Sequence, residues 1–279
     1  MKVLENVELA KYTTIRIGGR ANIMYVPETI DDLQLLNQEA LKYVIGGGSN
    51  LLITDEDIPV VINLREIDKE IKFLGEGKFY VGASVRLQKM ICSINENGYG
   101  GIEYLYSVPG LVGGAIFMNA GSGAKGEFIG NYIDEVKVWH NGEIKYFSKQ
   151  QCVFEHRESI FKKEGGYVIL GAYFSFPVQD QRISQMLIEQ RIHLCKELQD
   201  TTRPNFGSVF RVSDPWIMNG IRKLKIGKRR GCHFSGKTPN WIVNEGNGSY
   251  KEVLWIMAIV KMLHFVLGKD CEEEVIKWE

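Results

Sequence analysis

Short apolar runs separated by glycine-rich turns dominate the first two thirds of the chain. Residues 22–26 alternate as a strand does, Leu33, Leu36 and Ala40 recur at helical spacing within 29–41, and 43–45 make a second short strand. This strand, helix, strand unit runs directly into Gly46-Gly47-Gly48-Ser49-Asn50. The chain continues as Leu51-Leu52-Ile53 and a strand over 59–64, so no amphipathic helix follows the glycines. Next come a strand over 79–85, a helix over 87–96 and a glycine-rich run over 98–126. Asn141-Gly142, between alternating segments 135–140 and 143–147, predicts a two-residue hairpin, because both central residues of a type I′ turn need positive φ. A long strand over 167–176 and a helix over 181–198 follow, with a change of composition near 178 that marks a domain boundary. The last long helix begins at Ser249, which with Glu252 has the spacing of a capping box. Val253, Ile256, Val260, Leu263 and Leu267 form its apolar stripe, a core-facing pattern.

The chain has 279 residues, of which 44% are hydrophobic and 24% charged, so a large core is available and disorder is excluded as the main state. Thirty-four basic residues balance 34 acidic ones. No global field gathers nucleic acid or a membrane surface, and an anionic ligand has to be held by a local site. The five cysteines, Cys92, Cys152, Cys195, Cys232 and Cys271, are dispersed, which argues against a disulfide framework and a zinc site and for a reducing cytoplasm. The first residues have no apolar leader, and the most apolar stretch, 253–267, is interrupted by Lys261 and His264, so neither an export signal nor a membrane span is expected. No obligate protein partner is indicated.

Candidate chemistry lies in two glycine clusters. Gly46 to Asn50 has the composition of a nest whose backbone N–H groups converge on phosphate oxygens, with Ser49 and Asn50 as side-chain donors. It is not the dinucleotide fingerprint, which opens a helix. A plain turn between strands is the other interpretation. Val108-Pro109-Gly110-Leu111-Val112-Gly113-Gly114-Ala115, followed by Met118-Asn119-Ala120-Gly121, allows close approach of a flat ligand or close packing of helix on sheet. Two such loops about sixty residues apart, both leaving strands, favour a dinucleotide between two small lobes.

Six blocks carry a more specific likeness: Tyr12-Thr13-Thr14-Ile15-Arg16-Ile17-Gly18-Gly19, Gly46 to Leu52, Val108 to Ala115 with Asn119-Ala120-Gly121, His156-Arg157-Glu158-Ser159, Phe206-Gly207-Ser208-Val209-Phe210, and Trp241-Ile242-Val243-Asn244. In this order they resemble the UDP-N-acetylenolpyruvoylglucosamine reductases, or UDP-N-acetylmuramate dehydrogenases, along nearly the whole chain. The resemblance implies an α+β fold. A two-lobed FAD-binding domain of the vanillyl-alcohol-oxidase (PCMH) type would occupy 1–178, with lobes of about 1–66 and 67–178, and a C-terminal α/β substrate-binding domain 179–279. With no long insertion between Arg157 and Ser208, the chain is similar to the shorter, type II branch. The resemblance further implies non-covalent FAD held at Tyr12, Thr13 and Arg16, at Gly46, Gly47, Gly48, Ser49 and Asn50, and at Pro109, Gly110, Gly113, Gly114, Asn119, Ala120 and Gly121. NADPH would be the reductant and UDP-N-acetylglucosamine enolpyruvate the substrate, with Lys237, Asn240 and the basic run 228–230 as candidate partners of its diphosphate.

Three residues match the family's catalytic positions: Arg157, Ser208 and Glu274. Hydride addition to C3 of the enolpyruvyl ether puts negative charge on C2 and its carboxylate, which a fixed guanidinium and a protonated carboxyl can stabilise. A hydroxyl can then protonate C2. Taken alone, Arg157 between Glu155 and Glu158 is a solvated residue, Ser208 a turn residue, and Glu272-Glu273-Glu274 a solvated acidic run. His156 stands where the family has tyrosine, Thr238 where it has histidine, and Cys271-Glu272-Glu273 replaces Leu-Glu-Pro. Those departures leave open another FAD-dependent oxidoreductase of the same fold, or a catalytically silent relative that binds FAD or a nucleotide sugar.

Overall fold

Asn141 and Gly142 adopt φ of +52° and +83° in the computed structural model, which describes residues 1–36, 41–122 and 125–279, and they close the expected hairpin. Its strands, Ile133–His140 and Glu143–Ser148, open a five-stranded antiparallel sheet continued by Val168–Ser175, Lys78–Gly82 and Ile71–Gly75. The helix Leu87–Glu96 spans the residues its spacing predicts, with Leu87, Met90, Ile91 and Ile94 fully buried. They pack into one core with Val81, Val136, Ala172, Phe174 and Ile116 of the helix Val112–Phe117.

A second sheet has the order Lys2–Glu8, Arg20–Val26, Ile58–Asn63, Val44–Ile45, the last two strands being parallel. Lys2–Glu8 was not foreseen, since its mostly exposed residues carry no apolar alternation. The helix expected over 29–41 is Ile30–Gln34, begun by a reciprocal capping box between Thr29 and Asp32. Residues 37–40, with Ala40, lie outside the described residues, as do 123 and 124 of the glycine-rich run.

The contacts divide the chain into two compact units, the first made of 1–4, 24–47 and 60–193, the second of 5–23, 48–59 and 194–279. This differs from a boundary at 178, for a physical reason. Ile15, Ile17 and Leu52 are buried in one core with Phe206, Val209, Ile242 and Val253, and Ile276–Trp278 pairs in parallel with Leu51–Ile53. The same unit holds the antiparallel sheet Asn205–Ser208, Trp241–Asn244, Cys232–Phe234.

Its helix Tyr250–Val266 has Ser249 as N-cap, the hydroxyl accepting from Glu252 N–H at 3.2 Å. Only that half of the capping box forms, because the Glu252 carboxylate accepts from Gly231 N–H at 3.5 Å instead. Val253, Ile256 and Val260 are buried, whereas Leu263 is partly buried and Leu267, at the C-cap beyond the last turn, is exposed. No described helix is long and apolar enough to cross a membrane.

Candidate active site

In the first glycine cluster the chain turns its carbonyls toward protein donors. Gly46 O accepts from Arg65 Nε at 2.7 Å and Gly47 O from Arg65 Nη2 at 3.3 Å, while Gly48 O accepts from Thr14 N–H at 3.1 Å. In a planar trans peptide the N–H of the next residue points opposite to the carbonyl. The N–H groups of Gly47, Gly48 and Ser49 are therefore turned away from those donors, as a phosphate nest requires. Glycine is obligatory at 48: φ is +68°, and a Cβ there would lie 1.9 Å from Tyr12 O. Thr14 Oγ1 is buried with no hydrogen-bond partner among the described residues. This donor set, all N–H and hydroxyl, fits the pyrophosphate of FAD.

Besides Thr14, two residues near this loop were not singled out from the sequence alone. Arg65 is one, a lone arginine after an apolar strand. The other is Asn244, quoted in a motif without a role. Its buried amide donates to Ile15 O at 2.9 Å and Arg16 O at 3.3 Å and accepts from Gly246 and Gly248 N–H, clamping the turn where Arg16 takes a φ of +57°. Thr13 is buried, its hydroxyl donating to Ile17 O at 3.1 Å.

The second glycine cluster meets the first. A Cβ on Gly47 would come within 3.2 Å of Gly110 Cα and 3.3 Å of Leu111 N. Within the cluster the glycines divide. Gly113 packs, since a Cβ would lie 2.9 Å from Ala83 Cβ, while a Cβ on Gly114 would meet nothing within 4 Å, leaving a bare face for a ligand. Gly121 starts the short strand Gly121–Ser122, and Ala120 O accepts from Ile129 N–H at 2.9 Å.

Asn119, buried at φ +41°, accepts from Gly130 N–H at 3.1 Å and donates to Glu155 O at 2.8 Å. It thereby ties the glycine cluster to the turn carrying Arg157. In that turn Glu155 and Glu158 exchange backbone hydrogen bonds of 3.1 and 3.2 Å, Ser159 Oγ donates to Phe117 O at 2.7 Å, and Lys162 Nζ donates to Arg157 O at 3.0 Å. Arg157 has φ +61° and is half-buried, so it is not a solvated surface residue. Non-glycine residues persist in this conformation where the surroundings over-determine them, often at functional sites. The His156 ring sets its edge against Phe128 at 5.9 Å between centroids.

Ser208 and Glu274 belong to the second unit, where backbone bonds place them. Glu274 N–H donates to Val209 O at 2.8 Å, and Phe210–Val212 pairs antiparallel with Glu272–Glu273. Asn50 Nδ2 donates to Glu274 O at 3.1 Å, so the end of the glycine loop meets the catalytic candidate directly. The Asn240 amide bridges Phe210, accepting from its N–H at 3.1 Å and donating to its O at 2.7 Å. Lys237 Nζ and Thr238 Oγ1 donate, each at 3.1 Å, to the carbonyls of Lys196 and Leu198 at the end of the helix Gln181–Leu198. Asn240 and Lys237 are thus seen in structural bonds, and Thr238 works as a helix cap.

Cys271 packs against the apolar core of this unit, and burial pushes its thiol up to about 11. It stays a protonated, weakly polar group where the family has leucine.

Residues 21–145 match the model of the FAD binding domain, the class of protein that the glycine loops also fit. It is 32% identical to UDP-N-acetylenolpyruvoylglucosamine reductase of Thermotoga sp. (strain RQ2), over 97% of this chain and 92% of that one, and 30% identical to that of Bacillus pumilus, over 93% and 88%. The chain belongs to the UDP-N-acetylenolpyruvoylglucosamine reductase family. The crystal structure of UDP-N-acetylenolpyruvylglucosamine reductase from Thermus caldophilus shares the fold, with a TM-score of 0.82 at 24% identity and complete coverage of both chains. The fold is accordingly the expected α+β one, with a PCMH-type FAD-binding domain.

Proposed function

We propose that the chain reduces UDP-N-acetylglucosamine enolpyruvate to UDP-N-acetylmuramate with electrons from NADPH, in the cytoplasm, as a step of peptidoglycan synthesis. FAD, bound non-covalently, would supply the hydride-transfer chemistry between the nicotinamide and C3 of the enolpyruvyl group. The Gly47, Gly48 and Ser49 N–H groups and the Thr14 hydroxyl would hold its pyrophosphate, with Arg65 fixing the loop. Arg157 stabilises the charge that grows on C2 and the adjoining carboxylate, and its half-buried setting strengthens that attraction. Glu274, in its protonated form, donates a hydrogen bond to the same carboxylate, and the Ser208 hydroxyl gives a proton to C2.

The observation that carries the assignment is the 2.8 Å bond from Glu274 N–H to Val209 O, which sets Glu274 beside the residue that follows Ser208. The test is direct. Purified yellow protein should oxidise NADPH on addition of the enolpyruvyl substrate and form UDP-N-acetylmuramate. Folded, FAD-loaded protein that shows no turnover is instead a binding relative.

A further inference from the structure

The helix Tyr250–Val266 is apolar on its outer as well as its inner face, the pattern of a helix enclosed by protein. One face is enclosed: Val253, Ile256, Met257, Val260 and His264 are buried in the second unit. The opposite face is open. Trp255, Ala258, Met262 and Val266, with Phe265 alongside, recur at spacings of three and four and form one exposed stripe. Trp255 is 41% exposed, Met262 56%, Val266 71% and Phe265 84%. The two rings alone leave on the order of 250 Å² uncovered, so the stripe reaches the several hundred Å² at which an exposed apolar patch marks an interaction surface.

The stripe is held firmly. Behind it His264 Nε2 accepts from Asp214 N–H at 2.9 Å, and the Arg229 guanidinium lies 3.4 Å from the Trp255 ring centroid, which fixes the indole in place. An aromatic anchor already fixed loses little entropy when a partner covers it. Charge then narrows what the partner is. Lys261 pairs with Glu273 at 3.1 Å and Lys269 with Asp214 at 3.7 Å, so the cations of the C-terminal half are engaged. Lys251 at the N-terminal end of the stripe and Asp270 past the helix C-terminus are exposed and enter no ion pair among the described residues. A helix that lies on an anionic lipid surface carries free Lys and Arg along its flanks, whereas this one offers a single free charge of each sign at opposite ends.

We propose that a second copy of this chain covers the stripe, its own helix Tyr250–Val266 packed antiparallel about a two-fold axis near Ala258. The arrangement is self-complementary. Trp255 of each copy meets Met262 of the other, a favourable sulfur–aromatic contact, and the small Ala258 lets the helices approach where they cross. At either end Lys251 comes to the second copy's helix C-terminus, where the last carbonyls carry negative partial charge and Asp270 follows. Lys251 is unfavourable at the positive end of its own helix, so the pairing compensates a charge that the single chain leaves exposed. A parallel pairing would instead set Lys251 against Lys251. The open area falls short of the roughly 800 Å² that each partner gives a standard interface, so the dimer is reversible. Its test reads mass and does not depend on the activity proposed above.

Sedimentation equilibrium of the FAD-loaded protein from about 1 to 100 µM should show a mass that rises with concentration toward twice that of the chain. Met262→Lys/Phe265→Lys should weaken association at least a hundredfold and melt no lower than the parent, since both side chains already face solvent. Should that variant fold poorly, Lys251→Glu, which puts an acid where the helix N-terminus favours one, should still weaken the dimer several-fold. Lys251→Glu/Asp270→Lys should then restore it, a recovery that antiparallel pairing alone explains. No recovery overturns that pairing. A dimer unchanged in the folded variants has its interface elsewhere and overturns the proposal, as does a single-chain mass at every concentration. Binding of such a monomer to phosphatidylglycerol vesicles, lost in Met262→Lys/Phe265→Lys, would give the stripe to a lipid surface instead of a second copy.

Discussion

The turn carrying Arg157 and the ladder carrying Ser208 and Glu274 position their residues by opposite means. The first relies on particular side chains: Asn119 and Lys162 reach its backbone, the Ser159 hydroxyl ties it to Phe117 O, and Arg157 itself sits at φ +61°. The second relies on main-chain bonds, Glu274 N–H to Val209 O and the pairing of Phe210–Val212 with Glu272–Glu273, which many sequences can make. Positioning by side chains leaves a recognisable motif and tolerates little change, whereas positioning by backbone tolerates substitution. This accounts for Cys271-Glu272-Glu273 standing in place of Leu-Glu-Pro. Cys271 keeps the apolar contact, and Glu273 faces Phe210, whose N–H and O are both taken by the Asn240 amide, so the ladder draws on no N–H at 273 and glutamate or proline can stand there.

The comparison can be pressed hardest at Ser208. Ser208→Ala should leave the rate of flavin bleaching by NADPH near the parent value in anaerobic stopped flow, and slow the return of colour with the enolpyruvyl substrate by about 10²–10⁴-fold. Equal slowing of both phases would make the ladder structural only. Arg157→Lys should lower turnover on the order of a hundredfold, about 3 kcal/mol, with FAD content retained, because an ammonium cannot reproduce a two-pronged contact with a carboxylate. Parent-like turnover would return Arg157 to the surface.

Asn119→Ala removes the amide that joins Gly130 N–H to Glu155 O, so denaturant unfolding should show a loss of about 1–3 kcal/mol. Asn119→Gly should recover only the backbone share, since glycine accepts φ +41° freely. If both variants match the parent, the turn does not depend on side chains.

The smallest effect belongs to the ladder. Burial raises the Glu273 carboxyl, but hydrogen bonds and charge from Lys277 and Lys261 outweigh it and hold the group below its ordinary value. A depressed folded value means stability that is present above the unfolded value and disappears as pH falls through the folded one. Glu273→Gln should therefore cost a few tenths of a kcal/mol at neutral pH and nothing in strong acid. A difference that persists in acid would point to packing rather than charge.

Much of this architecture was legible in the chain. Asn141-Gly142 fixed its hairpin and the 87–96 spacing its helix, because both depend on neighbours within a few residues. The contact of Gly47 with Gly110 was not foreseen, since each glycine cluster, taken by itself, also suits a plain turn or the packing of helix on sheet. What escaped was determined at long range. The pairing of Ile276–Trp278 with Leu51–Ile53 has no local signature, so an acidic run that looks solvated hides an ordered strand pair. Arg65, Thr14 and Asn244 became visible only once folding brought glycine carbonyls and tight turns against them. Asn240 and Lys237 illustrate the converse: polar residues suited to a diphosphate are spent on Phe210 and on a helix end.

Asn50 reaches Glu274 across 224 residues, and this separation has a consequence for the nascent chain. Synthesis delivers the glycine loop early and its partner strand late, while the core around 79–176 can close on neighbours already outside the ribosome. The first unit can therefore condense during translation. The second must wait with Leu51–Ile53 unpaired, an apolar strand edge that chaperones or other strands can seize until the final strand arrives.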